Sequence, residues 1–137
     1  MIIISLISGY IASMNMWAVT TNHTRFHIND IYMVALMTSI MVLMTVCLYY
    51  QHYNNANQLI LMSAFITIIL IYFIRTQTFI NDYQYLNGMI PHHSMAILMS
   101  DNIIKKTNNP KIRKLAENIS KTQKEEIDLM DRLLIEI

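Results

Sequence analysis

Glycine and proline each occur only twice in 137 residues, and only 14% of the side chains carry a formal charge. So few breakers exclude folds built on many tight turns, such as β-sandwiches and barrels, and leave long helices as the way to satisfy the backbone. So little charge beside 54% hydrophobic content excludes an ordinary soluble surface. A formal net charge of +1 excludes the dense basic footprint that nucleic-acid phosphates require. A single cysteine, Cys47, excludes an internal disulfide. The chain also lacks a Glu-x-x-His pair, a Gly-rich phosphate loop, a Cys-x-x-Cys pair and a nucleophile elbow. Those absences argue against di-iron, nucleotide-dependent, dithiol and hydrolase chemistry, and the sequence reads as a protein that is not an enzyme.

Three uncharged apolar runs fill the first half, from Ile2 to about Thr20, from Ile31 to Tyr50 and from Gln58 to about Ile74. Each approaches the roughly 20 residues that a helix needs to cross a bilayer core, which predicts three transmembrane helices over residues 1–77 and a multi-pass integral membrane protein with lipid as a partner. Trp17, Tyr32, Tyr49, Tyr50 and Tyr72 lie near the run ends, where amphipathic rings favour the headgroup zone. No Lys or Arg precedes the first run, which argues against a cleaved signal peptide. The connections, Thr21 to Asp30 and Gln51 to Asn57, are short enough to make neighbouring helices antiparallel. Arg25 and Arg75 flank one side and the other loop has no basic residue, so the positive-inside rule places the C-terminal half in the cytoplasm.

From about Asn81 charges appear every few residues and the apolar positions take helical spacing, which predicts a water-exposed antiparallel hairpin over residues 78–137. Its first helix should run from about Asp82 to Thr107. Asn109 is a suitable N-cap and Pro110 suits the first position of a second helix. The expected fold is therefore all-α.

At about 100° per residue, Met89, His92, His93, Ala96, Met99 and Ser100 share about a third of the first hairpin helix, with Met95 just outside. The facing stripe of the second helix, Ala116, Ile119, Gln123, Ile127, Met130 and Leu134, also contains Glu126. A carboxylate and an amide inside an apolar stripe require partners. A turn at Asn108 and Asn109 brings His93 opposite Gln123 and Lys124, Met89 opposite Met130, and Glu126 within reach of the histidines. Imidazole with thioether points to copper, preferentially Cu(I), with His92, His93, Met89, Met130 and Met99 as ligands. Zinc would suit the histidines and the carboxylate alone. Glu126 and Gln123 are expected behind the ligands, Glu126 orienting a histidine through its other N–H. The competing reading is a satisfied His–Glu pair in a core where methionine only fills gaps.

Twelve methionines make a second pattern. Met33, Met37, Met41, Met44 and Cys47 recur at helical spacing along the second run, and His23 and His27 are four apart in the loop before it. They form either an accessory metal path or, for the methionines, a packing seam in lipid.

The stretch YLNGMIPHHSMAILMSDNIIKKTNNPKIRKLAENISKTQKEEIDLMDRLL, from Tyr85 to Leu134, resembles the family catalogued as domain of unknown function 305. The match rests on Gly88 to His93, Leu115, Ala116, Gln123, Glu126, Ile127 and Met130. The resemblance implies a ferritin-like helical fold and extracytoplasmic copper binding through Met and His. It also implies a bundle of two hairpins, so that this single hairpin would form a homo-oligomer, and the three preceding membrane helices resemble a membrane-anchored subgroup. Leu98 departs from the acidic residue of many soluble members. Relatives carry basic residues where this chain has Asn54 and Asn55, which implies a cytoplasmic second loop and an extracytoplasmic hairpin, against the arginine count. The expected function is copper sequestration, transfer or resistance, with copper donor or acceptor proteins as partners; the alternative is a non-catalytic structural or oligomerisation module.

Overall fold

The computed structural model describes residues 2–137, and among them there are five α-helices, three short 3-10 turns and no strand. The expected all-α class is found. The helices are α1 (Ile2–Ile11), α2 (Ile28–Leu48), α3 (Ala56–Thr76), α4 (Asp82–Lys106) and α5 (Pro110–Glu136). They divide into two compact units, one of the residues up to Ser13 with Ile28–Ile80, the other of Met14–His27 with Asn81–Ile137.

In the first unit α2 and α3 form an antiparallel pair of 21 residues each. At 1.5 Å per residue each is about 32 Å long, enough for a hydrocarbon core of about 30 Å. Two helices among the described residues are thus long and apolar enough to cross a membrane. The Ser39 and Thr67 hydroxyls meet at 3.0 Å in mid-pair, and at one end the Tyr32 hydroxyl donates to the Thr78 carbonyl at 2.9 Å. α1 runs antiparallel along α2. Ser5 donates to the Met41 thioether at 2.8 Å, and a Cβ on Gly9 would lie 3.2 Å from Val34, so the small residues of α1 set how closely the helices approach.

The first apolar run departs from expectation. Its α-helix ends at Ile11 rather than near Thr20, and Met14–Trp17 form a 3-10 turn that belongs to the second unit. Ten helical residues span about 15 Å, half of a bilayer core. The cause is Asn15, whose buried amide pairs with both backbone groups of one residue of the returning chain, Arg25. It donates to the Arg25 carbonyl at 2.5 Å and accepts the Arg25 N–H at 2.8 Å. A segment closed on itself in this way cannot continue a helix. The division at residue 77 is displaced for the same reason, because Met14–His27 joins the hairpin.

That hairpin follows the sequence closely. Asn81 caps α4 by accepting the Gln84 N–H, and Asn109 caps α5 by accepting from Lys111 and Ile112, with Pro110 at the first helical position. Arg113 closes the turn, donating to the Ile104 and Thr107 carbonyls at 2.7 and 2.8 Å, among the last acceptors of α4. The helices run antiparallel around a core of Leu86, Ile90, Ile97, Ile127 and Met130, flanked by Met89 and Leu134. Met14–His27 lies against both helices: Ser94 accepts the Val19 N–H at 2.8 Å, and Arg25 pairs with Asp131 at 3.1 Å.

Asn15→Ala should leave the Arg25 N–H and carbonyl without this partner, at a cost of about 2–4 kcal/mol. Hydrogen exchange is the measurement: the Arg25 amide should exchange much faster while the α5 amides keep their protection, and an unchanged Arg25 amide would contradict the role given to Asn15.

Candidate metal centre

Pro91 sits inside α4 two residues before His93, and the His93 ring folds back along its own helix. Nδ1 lies 2.8 Å from the Met89 carbonyl oxygen. A carbonyl only accepts, so this contact fixes a proton on Nδ1 and turns Nε2 toward α5. There Nε2 meets Glu126 Oε2 at 2.9 Å, and the same oxygen accepts from Gln123 Nε2 at 3.2 Å. His93 is buried, whereas the Glu126 side chain is 46% exposed. With acceptors at both ring nitrogens, the contact is complete only when a further proton lies between Nε2 and the carboxylate.

The structure brings together His93, Glu126, Gln123, Met89 and Met130, the last two in the adjoining hydrophobic cluster. Met89, one turn back on α4, packs against the hydrophobic cluster that contains Met130, one turn on along α5. Glu126, however, does not orient the ring from behind. That role falls to the Met89 carbonyl, and Glu126 occupies the nitrogen that a metal would use. It is therefore a competitor or a co-ligand, while Gln123 stands behind it as expected.

Two expected ligands lie apart from this cluster. His92 is exposed, its ring centroid 5.8 Å from that of His93 and its plane turned by 65°. Met99 is also exposed and lines a groove near the hairpin turn. Six residues of helix rotate Met99 by about 120° from His93, so the shared third of the wheel is split into a buried edge and a solvent edge. Among the described residues no group of three or more His, Cys, Asp and Glu could hold a metal ion.

The two histidines of the accessory path lie outside any α-helix. Residues Thr21–His23 make a 3-10 turn and Thr24 is extended, so His23 and His27 do not share one helical face. His23 Nδ1 meets the Ser94 hydroxyl at 2.9 Å, and His27 is buried beside Gly88, where a Cβ would lie 3.4 Å from its Nδ1. Met33, Met37, Met41, Met44 and Cys47 are exposed on α2, and Met37 and Met41 pack against Gly9 and Ser5 of α1. Ser94 and the Met89 carbonyl were not visible as partners in the sequence. The signal for the carbonyl is the i to i−4 spacing of His93 and Met89.

These features define a helical protein with an apolar helix pair and a polar hairpin in which a buried histidine meets a half-exposed carboxylate. The chain belongs to the family described as Domain of unknown function (DUF305), matched over residues 81–137. It is 46% identical over 136 residues to "Uncharacterized protein L153" of Acanthamoeba polyphaga mimivirus, an alignment covering 99% of this chain and 90% of that protein. No solved structure matches.

Nitrogen NMR of histidine-labelled, metal-free protein should find His93 protonated at Nδ1, and Glu126→Leu should leave that proton in place while altering the Nε2 signal. An unprotonated Nδ1 would remove the lock through the Met89 carbonyl.

Proposed function

We propose that the chain is a membrane-anchored Cu(I)-binding protein that sequesters or hands on the ion without catalysing a reaction. The observation that carries this reading is the His93 ring, held by its own helix so that Nε2 faces a half-exposed carboxylate, with two thioethers in the same register. A ring nitrogen tied to a backbone carbonyl while the other faces outward is the usual preparation of a metal-binding histidine. Thioether at Met89 and Met130 selects the soft, reduced ion, and His92 completes the set by rotating its exposed side chain. Zinc is accommodated by imidazole and carboxylate alone. The hairpin then acts as half of a ferritin-like bundle, with α2 and α3 as spanning helices, α1 as a third apolar segment and the hairpin on the extracytoplasmic side. Copper donors or acceptors would be its partners.

A second reading has a specific observation in its favour. The His93–Glu126 contact is already hydrogen-bonded without metal, so the pair can serve only to join the two helices of a structural module.

A competition titration with a Cu(I) chelator separates the two. Replacing His92 and His93 together by Ala should abolish tight binding. Met89→Leu with Met130→Leu should weaken Cu(I) while leaving Zn(II) nearly unchanged. Met99→Leu should change nothing. Unchanged Cu(I) affinity in the double histidine variant would leave the structural reading. For the membrane, Asn54→Cys and Lys121→Cys in a Cys47→Ser chain should be labelled from opposite sides by an impermeant thiol reagent, and labelling from one side would defeat the spanning pair.

A further inference from the structure

α5 buries only one side of its apolar surface against α4. Ala116, Ile127 and Met130 are buried, but Ile112, Leu115, Ile119, Leu129 and Leu133 remain 37–59% exposed. With Thr122 and Glu126 these residues recur at alternating steps of three and four from 112 to 133, the spacing of a coiled-coil seam. It is distinct from the stripe that faces α4, in which Ile127 is buried and Leu134 packs against the hairpin core. At the turn end the seam opens into an apolar groove of about 590 Å³ lined by Met99, Ile103, Ile112, Leu115 and Ile119.

The charge along α5 indicates what covers this seam and in which direction. Residues 110–124 hold five basic side chains and one acidic one, whereas residues 125–137 hold five acidic and one basic. A second copy laid parallel would set like charges together along the whole helix. Laid antiparallel, each basic half meets an acidic half, and orientation in coiled coils is selected by such pairing.

The geometry points to an antiparallel self-association of α5 between two copies of this chain. Matching the seams about their middle sets Ile119 against Leu129 of the second copy and Leu115 against Leu133. Thr122 then meets Glu126 near the two-fold axis, and each half-exposed Glu126 carboxylate is covered by a hydroxyl of the other copy. A polar layer of this kind fixes register at some cost in stability. The exposure of the seam and the division of charge along α5 that carry the inference are properties of the metal-free chain, and Glu126 is the one seam residue shared with the proposed metal site.

The test uses the full chain in detergent, with Cys47→Ser and a metal chelator throughout. Chains carrying Ile119→Cys are mixed with chains carrying Leu129→Cys, and each is also oxidised alone. The mixture should give a disulfide-linked dimer and each variant alone should give little. Efficient cross-linking of Ile119→Cys alone would establish a parallel seam and overturn the proposal, as would a monomer by mass measurement at micellar concentrations that dissociate no ordinary dimer. Leu129→Asp changes an exposed side chain, so the hairpin should keep its helicity while the dimer dissociation constant rises at least about tenfold. Unchanged association in that variant would place the contact elsewhere and sink the seam.

Discussion

Two packed helices can slide by one turn without losing much apolar contact, so a hairpin requires something polar to choose its register. Here the choice is made by the contact of His93 with Glu126, supported toward the turn by the Ser120 hydroxyl donating to Asp101 at 2.6 Å. A slip by a turn would take the carboxylate from the buried imidazole, leaving it opposite Leu129 or Met130 in one direction and Thr122 or Gln123 in the other, and a weakened or unpaired buried polar group costs more than a lost apolar contact. From this register follow the placing of Met89 and Met130 in one apolar cluster, the burial of Ile127 and the exposure of the outer seam of α5.

Much of the hairpin was legible in the sequence because its signals are local. Asn81, Asn109 and Pro110 act on their own helix ends, and the charge that begins after Asn81 marks the change of environment. The opposition of His93 and Glu126 followed from two helix periods and a short turn. What periodicity could not supply was the division of the α4 stripe into a buried edge and an exposed one. A third of a helical wheel is wider than the face that one partner helix can cover, so His93 and Met89 went inward while His92 and Met99 stayed outside.

The segment Met14–His27 was misread because hydropathy measures what a run would gain from leaving water and not where it goes. Ile2 to Thr20 is uncharged throughout, yet Asn15 pairs with the backbone groups of Arg25, ten residues away, and draws the second part of the run toward the hairpin. The decision rests on one amide. Its signal is slight: an asparagine in an apolar run, followed by an extended Thr-Arg-Phe stretch with a free peptide to offer. The same folding-back takes His23 to Ser94 and separates it from His27, which removes the helical face that their spacing suggested.

Glu126 belongs to both of the proposed surfaces. On one side its carboxylate holds Nε2 of His93, and on the other it lies at the centre of the α5 seam. A metal ion at Nε2 must either displace this carboxylate or bind it, and either change alters the group that a second copy would meet. Coupling between two binding events is reciprocal, so self-association that prefers one orientation of Glu126 favours or opposes metal by the same free energy with which metal favours or opposes self-association. The sign follows from geometry. A seam that holds the carboxylate against a Thr122 hydroxyl draws it from His93 and frees Nε2 for a ligand, and a carboxylate retained by the imidazole leaves Thr122 without its partner. A single histidine–carboxylate contact would thereby connect the register of one hairpin, access to its histidine and the proposed pairing of two chains.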